Sequence, residues 1–192
     1  MNPIGQEELN GGDLHGEALR TPSESTSPAR GVGTRLLGAL AFGALTFGSA
    51  ALGNSVSRPN LWYRRLRKSK ANPPSWVFGP VWSVLYTAIA ASGYRVWAAP
   101  SSPASSADRA RALRLWTLQL GLNASWSPLF FGRRQPVASA AVALALVPAI
   151  SAYAVTARKV DRTAAALMLP YLGWSAFAAY LNAEIVRKNA LA

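Results

Sequence analysis

The chain has 192 residues, 51% of them hydrophobic, with 20 Lys and Arg against 8 Asp and Glu, one His and no Cys. Without thiols it has no disulfide or thiol chemistry, zinc clusters are disfavoured, and the lone His15, in a Gly-, Glu- and Ser-rich stretch, reads as a solvated tail residue. A net charge of +12 does not point to nucleic acid: five of the acids lie within the first 24 residues, and the later bases fall between apolar runs, as in loops that meet lipid head groups.

Residues 1–31 are polar and lack an apolar core, so they read as a disordered N-terminal extension rather than a signal peptide, ahead of a membrane domain over 32–192. Uncharged runs follow at 36–57, 71–94, 115–132, 135–157 and 163–183. About 20 helical residues at about 1.5 Å each cross a bilayer, so the five runs predict an all-α membrane protein, a five-transmembrane-helix bundle. A soluble bundle would instead carry charges every turn or two on its outer faces. The first helix should start near Gly33, with Ala39/Gly43 and Ala44/Gly48 at the four-residue spacing that permits close helix approach.

Asn72-Pro73-Pro74-Ser75-Trp76 then turns the chain into the second span, with Pro80 expected in its first turn, Trp76 and Trp82 at a fixed entrance, and the helix extending to about Trp97. Residues 98–108 read as a loop marked by Pro100 and Pro103, and span three runs from about Arg109 to Phe131. The turn Gly132-Arg133-Arg134-Gln135 makes spans three and four antiparallel neighbours, Pro148 is a candidate kink, and Thr163 is the expected cap of span five. Glu184 should pair with Arg187 and Lys188. Arg and Lys divide almost equally between alternate connections, which leaves orientation open.

Polar and aromatic residues inside the spans mark a candidate site. Gln119, Asn123 and Trp126 share one face of span three, as interhelical hydrogen-bonding groups or as ligand contacts. Trp82, Tyr86 and Ile89 line one side of span two; Trp174, Phe177, Ala178 and Leu181 line one side of span five. Two tryptophans at depth beside an amide-bearing helix suit a flat, largely apolar ligand. The basic run 64–70 suits anionic lipid or ligand carboxylates, and no nucleophile, base and orienting group converge.

The blocks LWY at 61–63, NPPSWVFGPVWSVLY at 72–86, LQLGLNASWSPLFFG at 118–132 and LPYLGWSAFAAYLNAEI at 169–185 resemble, in order and spacing, those of the TspO/MBR family of translocator proteins. The resemblance covers about Gly33 to Asn189. It implies a five-helix bundle, commonly dimeric, that binds porphyrins, sterols and synthetic ligands under a lid formed by the first loop. By similarity Trp62 comes from the lid, Trp82 from span two, Gln119, Asn123 and Trp126 from span three, and Trp174 and Ala178 from span five. Two departures stand out. Lys68-Ser69-Lys70-Ala71 replaces a Lys-Pro-Ser-Trp, and Ala183 replaces the tyrosine of the animal cholesterol pattern.

The expectation is therefore an integral, multi-pass membrane protein that binds a tetrapyrrole or another hydrophobic small molecule, with the porphyrin as ligand and no cofactor or metal. Membrane lipid and a second copy of the chain are its other expected partners. The NAEI ending points to a bacterial envelope rather than a mitochondrial outer membrane. Two alternatives stay open: light- and oxygen-dependent porphyrin breakdown involving Trp82 and Trp174, and a sterol or lipid carrier or regulatory scaffold.

Overall fold

A computed structural model describes residues 31–56, 61–100 and 103–189; the expected N-terminal extension, His15 included, lies outside the described residues apart from Gly31. Those residues are helical in the order α1 (Val32–Val56), α2 (Leu61–Arg65), α3 (Ser75–Ala98), α4 (Pro103–Ser127), a π-helical turn (Pro128–Gly132), α5 (Pro136–Arg158), α6 (Arg162–Leu167) and α7 (Leu169–Asn189). Among the described residues, three segments are long and apolar enough to cross a membrane: Val32–Gly53, Pro136–Arg158 and Arg162–Asn189, at mean hydropathies of 1.7, 1.9 and 1.4. The outward faces carry Leu36, Leu37, Leu40, Leu52, Trp76, Val84, Leu144 and Val155 exposed, which suits hydrocarbon and not water.

Prolines set the boundaries, not always where the spacing predicts. α3 already starts at Ser75, because Pro74 holds an extended backbone (φ −56°, ψ 146°) and its carbonyl accepts from Val77 N at 3.0 Å. Pro80 therefore lies inside α3 rather than in its first turn. Residues 103–108 are helical, not loop: Pro103 opens α4, a position where its missing amide donor costs little. At Pro128 the missing donor breaks the α ladder, and Arg133 N reaches back five residues to the Pro128 carbonyl at 2.8 Å.

The cap of the last helical segment is Asp161, not Thr163: its Oδ1 accepts from Ala164 N at 2.7 Å. Burial alone would raise the Asp161 pKa. The Ala164 amide, the Arg95 guanidinium and the Thr163 amide outweigh it and hold the carboxyl below its usual range. Arg95 reaches the carboxylate with Nε at 3.2 Å and a second nitrogen at 2.9 Å, tying the end of α3 to the start of α6. Seven residues on, Met168 interrupts the helix just before Pro170, and its N–H bonds the Ala165 carbonyl at 3.1 Å. The Ala164 carbonyl passed over there accepts from Ser92 Oγ at 2.7 Å, and Ser92 also pairs with the Tyr153 hydroxyl at 2.7 Å.

The core lies where α3, α4, α5 and the α6–α7 segment meet, around Ile89, Val96, Trp116, Ile150, Tyr153, Met168 and Tyr171. α4 packs most extensively on α5, as the short turn between them predicts, and α1 lies mainly on α3. The open sides of Gly43 and Gly48 show that the small-residue pairs expected on α1 do not make its contact. Gly38 instead faces the Trp97 ring. Gly93 plays the same part on α3, where a Cβ would meet Trp116 Nε1 at 2.5 Å and Phe42 at 2.7 Å. That clearance lets the Trp116 indole donate to the Ile89 carbonyl at 2.9 Å.

Candidate functional site

A cavity of about 770 Å³ opens at the end of the bundle where α1 finishes and α3 begins, well within the range of about 300–1,000 Å³ usual for small-molecule sites. Its aromatic walls are Phe78, Trp82 and Tyr86 of α3, Trp126 of α4, Phe130 and Phe131 of the π turn, and Trp174 of α7. Phe47 of α1 and Ala178 and Leu181 of α7 close the sides; Tyr63, Lys68, Asn72 and Pro73 form the rim. The rings brace one another. Trp82 stacks on Tyr86 at 5.1 Å between centroids, Phe78 meets Trp174 edge-on at 5.8 Å, and Trp126 stacks on Phe130 at 5.1 Å with 10° between planes.

Asn123 supplies the polar point of the wall. Its Oδ1 accepts from the Tyr86 hydroxyl at 3.0 Å while its Nδ2 donates to the Tyr171 hydroxyl at 2.9 Å, so one amide joins α3, α4 and α7. The Trp126 Nε1 is also engaged, donating to Asn182 Oδ1 at 3.1 Å, and Asn182 Nδ2 is fixed on the Ala178 carbonyl at 2.8 Å. Wall rotamers are thereby set before any ligand arrives, which lowers the ordering cost of binding.

Six of the nine site residues expected from sequence line the cavity: Trp82, Tyr86, Asn123, Trp126, Trp174 and Ala178. The other three lie outside the lining. Gln119 is fully buried one turn toward the start of α4, and its amide has no hydrogen-bond partner among the described residues. Trp62 packs edge-on against Phe130 at 5.5 Å from outside the cavity, and Phe177 leans on Trp174 at 5.8 Å. Trp76, expected at the entrance, is 75% exposed and is not among the cavity-lining residues.

Sequence spacing missed Phe47, Phe78, Phe130 and the rim residue Tyr63, while Lys68 falls in the basic run expected to suit ligand carboxylates. Phe78 lies four residues before Trp82, one helical turn away, so helical periodicity could have placed it. Phe130 and Phe131 could not be placed by α-helical spacing, because the π turn at Pro128 shifts their register.

The rim is fixed from the far end of the chain. Arg67 N donates to Asn189 Oδ1 at 3.0 Å and Asn189 Nδ2 donates to the Arg67 carbonyl at 3.0 Å, a side chain pairing with a peptide group as a neighbouring strand would. Lys188 Nζ donates to the Lys68 carbonyl at 3.2 Å and also pairs with Glu184, which Arg187 holds from its other side. Ser69 takes over where a proline is absent: its Oγ accepts from Ala71 N at 3.3 Å and its carbonyl from Asn72 N at 3.1 Å. Lys68 Nζ lies 4.4 Å from the centroid of the Tyr63 ring. Burial pushes the Tyr63 phenol up, and its hydrogen bond with Asn72 partly opposes this.

The family model described as TspO/MBR family matches residues 37–187, which takes in every wall of this cavity. The chain belongs to the TspO/MBR family. Among curated TspO/MBR relatives, it is 43% identical to the translocator protein of Homo sapiens, over 67% of this chain and 75% of that protein. It is 32% identical to the tryptophan-rich sensory protein of Cereibacter sphaeroides over 70% of this chain and 81% of the relative. A tryptophan-rich protein TspO of Archaeoglobus fulgidus matches at 37% over 67% of this chain and 80% of its own length. As a TspO/MBR protein with apolar spans, the chain is an integral membrane protein.

Proposed function

We propose that this TspO/MBR protein binds a flat, largely apolar small molecule of the tetrapyrrole class in the cavity between α3, α4 and α7. The observation that carries this is the aromatic lining, with Trp82 and Trp174 on two different helices and Asn123 between them, in a space of about 770 Å³. Stacking on indole faces with few hydrogen bonds suits a conjugated macrocycle. Lys68, at the rim, offers a cation to ligand carboxylates. Binding is favoured over turnover because Lys68 is the only charged residue among the described lining residues and no acid–base pair faces the cavity.

The same reading takes α3 and the α4–π segment as spans four and five beside the three apolar ones. α3 has the length but is rich in Trp, Tyr, Ser and Gly; α4 carries Asp108, Arg109 and Arg111 in its second and third turns and becomes apolar beyond Arg114. The host is read as a bacterial envelope from the NAEI end of α7, and relatives come from animals, bacteria and archaea. Titration of the purified protein with protoporphyrin should quench tryptophan emission saturably. Trp82→Phe with Trp174→Phe should weaken affinity about tenfold, at about 0.7 kcal/mol per lost indole contact and within the range known for aromatic pairs. Unchanged affinity in the double variant would sink the assignment.

A further inference from the structure

A second concavity, of about 530 Å³, lies outside the cavity wall and is lined by Leu61, Trp62, Arg65 and Arg134. It forms where α2 meets the turn between the π helix and α5. Neither the Arg65 nor the Arg134 guanidinium is engaged by any described residue, so two exposed cations share a notch with no anion among the described residues. Glu184 is the one described carboxylate at this end of the bundle, and Arg187 and Lys188 already occupy it. Asp108 and Asp161 pair with Lys159 and Arg95 at the opposite end.

We propose that this notch binds the phosphate of an anionic phospholipid. Guanidinium forks match phosphate oxygens in planar, paired hydrogen bonds and hold them more selectively than a point charge does. The other half of the lining is apolar. Leu61 is 70% exposed, and Trp62 sits at the level where α1 ends and α3 begins, the depth at which aromatic side chains meet head groups. Inorganic phosphate would satisfy the two arginines and leave Leu61 uncovered; a phospholipid satisfies the arginines and covers the leucine with its acyl chain.

The backbone places Arg134 at the notch. Arg134 has φ 55°, in the left-handed region, the one positive φ at a non-glycine position among the described residues. Gln135 N donates to the Leu129 carbonyl at 3.0 Å and Arg133 N to the Pro128 carbonyl at 2.8 Å, so the helix-end turn holds Arg134 in that conformation and sets the direction in which its side chain leaves the chain. A bound head group would link Arg65 on α2 to Arg134 beyond the π turn, on the outer side of the Trp62–Phe130 contact that backs the cavity.

The test uses the full chain in detergent and native mass spectrometry, titrated with phosphatidylglycerol or with phosphatidylcholine of the same acyl chains, and separately with inorganic phosphate alone. Phosphatidylglycerol should bind at least tenfold more tightly than phosphatidylcholine, and Arg65→Gln and Arg134→Gln should each weaken it at least fivefold. Arg114→Gln, at an exposed position near the middle of α4 and away from the notch, should change nothing. Arg134→Gly separates binding from folding: it should lose phosphatidylglycerol like Arg134→Gln, while its Tm in phosphatidylcholine bilayers is unchanged or raised. Equal binding of the two lipids, or equal effects of the notch variants and Arg114→Gln, overturns the site. Inorganic phosphate binding as tightly as phosphatidylglycerol overturns the lipid as its occupant.

Discussion

The Asn123 amide takes a hydrogen bond from Tyr86 and gives one to Tyr171, and the Tyr171 side chain is fully buried. Asn123→Leu keeps the branched shape of the side chain and leaves the buried Tyr171 hydroxyl and the Tyr86 hydroxyl on the cavity wall without that partner. That should cost about 2 kcal/mol, the scale of one buried polar group left unsatisfied. It should read out as a lowered Tm in detergent together with weakened porphyrin quenching; a Tm equal to that of the parent would remove Asn123 from its place at the junction. The polarity of Asn123 within an apolar run was legible in the sequence. Its partners were not, since they lie 37 and 48 residues away and the spacing along one helix says nothing of how its neighbours are rotated. Gln119 shows the same limit: it shares a helix face with Asn123, yet one turn along that face the cavity gives way to the packed core of Trp116, Leu120 and Ile89.

Among the elements, prolines marked several boundaries and Asp161 marked the start of α6, but the effect of each proline depended on which carbonyl lost its donor. Pro103 opens a helix, Pro128 turns one into a π helix, Pro170 follows a break, and Pro80 and Pro148 sit inside helices that continue. The uncharged runs at 36–57, 135–157 and 163–183 foretold the three apolar spans, whereas the π turn and the Met168 break depended on hydrogen bonds that no residue pattern displays. The α6 end has a testable pH dependence. Asp161 has a folded-state pKa below its unfolded one, so its contribution is complete above the ordinary carboxylate pKa of about 3.9 and is lost as pH falls through the depressed value. The Tm difference between the parent and Asp161→Ala should therefore be constant from neutral pH down to about 4, shrink below it, and vanish once the pH is under the depressed folded-state value. Removing the cap should cost about 1 kcal/mol at neutral pH, with little added by the partly exposed Arg95. A difference that persists under strong acid would mean that the carboxylate charge contributes nothing there.

At the scale of the whole molecule, the protomer leaves two stretches of bare helix backbone facing outward, and they compete as the surface for the proposed second copy. On α4, Gly121 is exposed with no atom within 4 Å of where its Cβ would stand, and four residues on Ser125 turns its Oγ onto the Leu122 carbonyl at 2.8 Å. On α1, Gly43 and Gly48 are similarly open. Between membrane helices association rests on close packing of small residues, because lipid tails solvate apolar side chains as well as a protein does. α4 is the better candidate. Its inward face is already held by α5, α1 and the Asn123 junction, so a partner there meets a rigid surface, while α1 rests mainly on α3. Gly121→Leu adds bulk into open space and should leave the protomer folded with porphyrin quenching intact. In sparse liposomes it should convert two-step photobleaching of a labelled chain to single steps, while Gly43→Leu should not. The opposite pattern moves the interface to α1, and single steps from the parent protein overturn the dimer.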